Sequence, residues 1–226
     1  MAGPRRSLSA ALIVLVVVIA FAGGYVAHRS PTTTTSTPVT TTTADTTWMA
    51  LWPSRTSAIR YASPSGAARA FAEHVLKMTA PVLRPFQQGD TRSGEVPLQS
   101  TPSGPVTTVL VRQLTSDDSW WVIGAIASDI TIETPTALTA VTSPLRVSGR
   151  STAYEAVVNL ALYIDGSTQA LATGTAMGGS MGVVGPYQTT MHYTLSHPSD
   201  GTLVVYERSA KDGSVLEASA LRLQLG

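Results

Sequence analysis

From Leu8 to Ala27 the chain runs twenty residues, LSAALIVLVVVIAFAGGYVA, without a charged side chain. At about 1.5 Å per residue, a helix of that length crosses a hydrocarbon core of roughly 30 Å. Arg5 and Arg6 precede the run, and His28 and Arg29 follow it. Positive charge near the start holds that end in the cytoplasm and passes the rest outward. The expectation is a cytoplasmic tip at 1–7, a single-pass transmembrane anchor at 8–28, and everything beyond it extracytoplasmic. Secretion after cleavage near Ala20-Phe21-Ala22 is the alternative, because that site reads as A-x-A-like.

Residues 29–47 form a Thr/Pro-rich linker, with 11 threonines and two prolines between Pro31 and Thr47. A segment with so few apolar side chains cannot offset its ordering entropy, so it is expected to be a disordered stalk. At about 3.1 Å per residue it would hold the rest on the order of 50 Å from the membrane. Residues 48–226 carry 12 basic and 13 acidic side chains. That balance excludes nucleic acid as a partner, since phosphate neutralisation needs a basic stripe. With no cysteine in the chain, a disulfide framework, a thiolate metal site, a cysteine nucleophile and a lipoprotein anchor are excluded as well.

The remainder reads as two modules. Residues 48–129 form a small α+β domain, a helix on an antiparallel sheet. Ser63 is the N-cap, Pro64 takes the first helical position, and Ala68, Phe71, Ala72, Val75 and Met78 recur at helical spacing to about residue 79. Strand patterns follow near 92–98, at 106–114 and at 119–127. In the last, Trp120, Val122 and Ile126 are expected on one face and Trp121, Ile123 and Ala125 on the other. Both faces are apolar, so both need cover: the helix for one, the Trp48–Trp52 segment or the second module for the other. The layout is similar to a cystatin-like or nuclear-transport-factor-like cone.

From residue 130 to 226 the pattern is all β. About seven short strands are separated by turn signals at Asp165-Gly166, Asp200-Gly201 and Asp212-Gly213. In YQTTMHYTL, Tyr187, Thr189, Met191, Tyr193 and Leu195 share one face. Leu221, Leu223 and Leu225 share a face against Arg222 and Gln224. This is the count and spacing of an immunoglobulin-like sandwich.

Within it, a Ser143-Pro144 strand ends in Gly149, and Tyr154-Glu155 enters a long strand. Tyr206-Glu207 then precedes a Lys211-Asp212-Gly213 turn. On these residues the segment resembles the GerM-associated immunoglobulin-like domain of bacterial spore germination proteins. The resemblance implies an extracytoplasmic, non-enzymatic domain. Residues 48–129 do not resemble the GerM domain itself. Thirteen arginines against two lysines point to a high-GC organism of actinobacterial type.

Residues that could carry chemistry have plainer readings. Gly178-Gly179-Ser180-Met181-Gly182 fits G-x-S-x-G, but that elbow belongs between a strand and a helix, with an acid and then a histidine downstream. Here His192 and His197 come before Asp200 and the flanks are strands, so the segment reads as a loop. The two histidines lack a third metal ligand at useful spacing. Asp117, Asp118 and Asp129 lack calcium-loop spacing. Glu155 and Glu207 invite a paired-carboxylate reading, but each is better read as fixing a sheet edge or turn. Trp120 and Trp121 are the candidate binding residues, with core packing as the competing account.

The functional expectation is a non-catalytic binding or scaffold protein of the bacterial cell envelope, tied to sporulation or germination by the resemblance. It would be held in the membrane through residues 8–28, take an envelope protein or cell-wall polymer as partner, and need no cofactor. The alternative is a small-ligand-binding cone at 48–129 with the immunoglobulin-like module as a spacer.

Overall fold

The computed structural model describes residues 46–226. The anchor expected at 8–28 and the linker as far as Asp45 lie outside them. Among the described residues no helix is long and apolar enough to cross a membrane. These residues fall in one compact unit, mostly β and sandwich-like, with a single α-helix among the described residues.

A 3-10 turn, Thr47–Met49, opens this part. Helix α1, Pro64–His74, starts where Ser63 Oγ accepts from Gly66 N at 3.1 Å and Pro64 supplies a helical φ without needing a partner. It is shorter than the apolar spacing suggests, because Lys77 takes a φ of 62° and the chain turns back. Met78 N donates to Ala72 O at 2.9 Å, which keeps Met78 in the core without extending the helix.

Strands β1 (Val82–Leu83), β2 (Gln87–Gln88), β3 (Ser93–Gln99), β4 (Thr107–Gln113) and β5 (Trp120–Ala127) follow. Then come β6 (Ile130–Thr134), β7 (Ala140–Val141), β8 (Leu145–Ser151), β9 (Val157–Ile164), β10 (Ala170–Met177), β11 (Gly185–Met191), β12 (Ser199–Arg208) and β13 (Val215–Leu225). One sheet runs β1-β3-β4-β5-β13-β12-β9-β10, and a second runs β11-β8-β6. The second lies over the β13-β12-β9-β10 part of the first, the two-layer arrangement of a sandwich. Leu160, Leu162, Leu203, Val205 and Leu223 meet Val147, Tyr187 and Met191 between the layers.

The large sheet continues across residues 129 and 130, because Ala125 of β5 pairs with Ala220 of β13. Higher up β5 the neighbouring place is taken by the 51–61 segment. Leu51 N donates to Val122 O and Val122 N to Trp52 O, both at 2.7 Å. The same segment reaches the sandwich, where Ser54 Oγ donates to Asp165 at 2.9 Å and Arg55 pairs with Asp200 at 3.5 Å. Arg222, placed by its alternation on a polar face, is in fact buried here. It contacts Asp165 and Asp200 at 3.0 Å each.

A bulge corrects the expected faces of β5. Val111 pairs with Val122 and Leu110 with Gly124, so Ile123 has no opposite residue. The slip sends both Val122 and Ala125 to the helix-side core with Phe71 and Val109. Ile126 is left on the outer face, about half exposed.

Candidate functional site

The two tryptophans proposed as binding residues are not brought to one pocket. β5 sends them to opposite faces. Trp121 is fully buried against Ala50 and Leu114, with the Arg60 guanidinium 4.9 Å from its ring. The Trp48–Trp52 segment is therefore what covers this face. Trp120 is half-buried on the helix side, edge-on to Phe86 at 5.4 Å. A side chain with no accessible surface cannot meet a ligand, so packing accounts for Trp121.

Ser180 lies in the loop between β10 and β11, with a strand on each side and Val183 N donating to Ser180 O. That is a loop passing from one sheet to the other, not a strand-to-helix elbow. His192 is exposed, and His197 Nδ1 lies 3.2 Å from Ser199 Oγ. Among the described residues no group of three or more His, Asp or Glu is placed to hold a metal ion.

The loop carrying Ser180 has a different significance. Nine large apolar side chains are exposed among the described residues, and six gather at this end: Tyr154, Val157, Met177, Met181, Val183 and Val184. The β9–β10 ladder ends with Met177 opposite Val157, and Gly178 N donates to Ala156 O at 2.8 Å. The loop then crosses itself closely. A Cβ on Gly179 would stand 2.1 Å from Gly185 N, so glycine is required there. Its tip holds Met181, 77% exposed, with φ of 52°, and Gly182, with φ of 79°. Scattered exposed apolar residues are ordinary, but a contiguous group marks an interaction surface.

Between this loop and the Ser103–Pro105 turn is a cleft of about 480 Å³, open to solvent and walled by Tyr154, Met181, Asp129 and Glu207. Glu207 is 8% exposed, and its Oε1 accepts from Tyr154 N at 2.8 Å. Across the β12–β13 hairpin its partner is Glu217, fully buried. Glu217 Oε2 accepts from Ser128 Oγ at 3.1 Å and Asp129 N at 3.2 Å, while Oε1 has no partner. Burial pushes the Glu217 carboxyl up to about 7. The two hydrogen bonds oppose that shift, and the Asp129 and Glu207 charges add to it. Burial raises Glu207 too, with Asp129 and Glu155 contributing. The carboxylate that pairs with Glu207 is thus Glu217, not Glu155. The Asp212-Gly213 turn hints at this, since strands folding back around it set 207 and 217 side by side.

The cleft lies at the end of β5, and the chain enters the described part near its beginning, where Thr46 Oγ1 donates to Leu114 O. The eight residues of β5, at about 3.3 Å each, separate the two by roughly 25 Å.

Gly149, part of the Ser-Pro…Gly pattern, has a structural reason. A Cβ there would lie 1.9 Å from Thr131 O and 2.6 Å from the Tyr187 hydroxyl, which donates to Thr131 O at 2.7 Å.

Residues 129–214 match the family model of the immunoglobulin-like domain of bacterial spore germination. The match takes in Ser143-Pro144, Gly149, Tyr154-Glu155, Tyr206-Glu207 and the Lys211-Asp212-Gly213 turn, the residues on which the resemblance was read. It stops short of β13, which closes the sandwich and carries Glu217. No curated protein matches the chain.

Proposed function

We propose that this chain is a non-catalytic binding or scaffold protein of the bacterial cell envelope, acting in germination or sporulation, with the sandwich end bearing Tyr154 and Met181 as its recognition surface. The observation that carries the reading is the gathering of six of the nine exposed large apolar side chains at that one end. Loops at the end of an immunoglobulin-like sandwich are where such folds recognise partners. The occupant is a polypeptide and not an anionic bilayer, because Asp129, Glu155 and Glu207 adjoin the apolar residues and would repel acidic headgroups.

A photo-crosslinking amino acid at Val183, and at the exposed His192 as a control, tests this in the cells that make the protein. A discrete adduct from position 183 and none from 192 is the expected result. Equal adducts from both positions, or none from either, would overturn it.

A further inference from the structure

Four carboxylates, those of Asp129, Glu155, Glu207 and Glu217, interact electrostatically around the cleft. None belongs to an ion pair among the described residues, although seven such contacts are formed elsewhere. At the far end of the same sheet the contrast is plain. There, Asp165 and Asp200 are matched by the buried Arg222, and Asp200 also by Arg55. The fold thus supplies its own cation to one pair of acids and none to the other.

Glu207 strengthens the contrast. More than nine-tenths buried, it lines the cleft with one oxygen committed to Tyr154 N, and no donor among the described residues reaches the other. Behind it, Glu217 Oε1 is buried and unpartnered. Ionising an acid that is removed from water without a counterion is costly, and the cleft opens Asp129 and Glu207 to a cation from outside the described part of the chain. Its walls also include the exposed Tyr154 ring and the Met181 side chain, surfaces suited to an alkyl stem and, for Tyr154, to a cation over its face, beside the Ser103–Pro105 turn, Thr152 and Leu216. The absence of a metal-competent group among the described residues favours an organic cation.

We propose that this cleft receives a lysine or arginine side chain of the partner polypeptide, its cation set against Asp129 and Glu207 and its stem between Tyr154 and Met181. This rests on the reading of that end as the recognition surface.

The test uses the full chain in detergent micelles with carbon-13 methionine methyl groups, the Met181 signal being identified by Met181→Leu. The probes are N-acetyl-lysine amide and N-acetyl-arginine amide. Their neutral counterparts are N-acetyl-norleucine amide and N-acetyl-citrulline amide, and calcium chloride is added separately. Saturable shifts of the Met181 methyl with the two cationic probes are expected, with the neutral ones on the order of tenfold weaker. Glu207→Gln should weaken the cationic probes by a similar factor. Asp129→Asn alters an exposed side chain and gives the same reading should Glu207→Gln disturb the fold. Equal responses to lysine and norleucine probes, no saturable shift with any probe, or saturation by calcium alone would overturn the proposal. An adduct at Val183 without a cation effect leaves the recognition surface standing and removes the basic side chain. A cation effect without an adduct supports the cleft and removes the docking reading.

Discussion

Glu217→Gln isolates the cost of burying an acid that the fold does not neutralise. Burial pushes its carboxyl up to about 7 in the fold, against an ordinary value of 4.5. The folded protein therefore holds this proton over a pH range in which the unfolded chain has already released it. A raised carboxyl contributes its full stability below the unfolded value and loses it as pH climbs toward the folded one. The separation corresponds to about 3 kcal/mol lost between roughly pH 4.5 and 7. Glutamine has no proton to lose, and its oxygen can still accept from Ser128 Oγ and Asp129 N. The two proteins should be about equally stable near pH 4.5, and the variant should be ahead by about 3 kcal/mol near pH 8. For a domain of this size that is roughly 6–12 °C in Tm. Thermal unfolding followed by tryptophan fluorescence reads it, because Trp121 is fully buried in the fold. Melting curves of wild type and variant that run parallel from acid to alkaline pH would refute the reasoning, since the carboxyl would then ionise in its ordinary range.

Two further substitutions probe what holds the unit together. Arg222→Met leaves Asp165 and Asp200 without their buried partner and should cost about 3–5 kcal/mol; a denaturation midpoint within experimental scatter of wild type would show that the buried guanidinium is not what offsets these two acids. Gly149→Ala drives a methyl to within 1.9 Å of Thr131 O, so β6 and β8 must separate and the Tyr187–Thr131 hydrogen bond must break. A loss of several kcal/mol or failure to fold is expected, read as lost expression or a Tm drop, and an unchanged Tm would contradict the packing described.

What the sequence determined was whatever depends on local periodicity. The alternation of YQTTMHYTL matches its burial: Tyr187, Met191 and Tyr193 are inside while Gln188, Thr190 and His192 are exposed. The Ser63-Pro64 start of α1 and the seven longer strands after residue 130 were legible in the same way, since caps, turns and two-residue alternation act within a few residues. The Ser-Pro…Gly and aromatic-Glu patterns mark the immunoglobulin-like segment in the sequence itself, where the family model also matches.

Tertiary structure decided what depends on partners distant in sequence. The bulge at Ile123 reverses the facing of Ala125 and Ile126, and a slip of one residue leaves no trace in a short apolar run. Arg222 alternates with leucines in the sequence, yet the fold buries it against Asp165 and Asp200, and Asp200 is also met by Arg55, more than 160 residues away along the chain. Glu217 offered no signal of its own, being an ordinary strand acid until β12 and β13 set it beside Glu207 and buried both. The apolar surface at Met181 passed for a glycine-rich turn, because a loop's exposure is decided by what packs around it. Burial of charge and exposure of apolar surface are properties of the assembled sheets, and the candidate site consists of both.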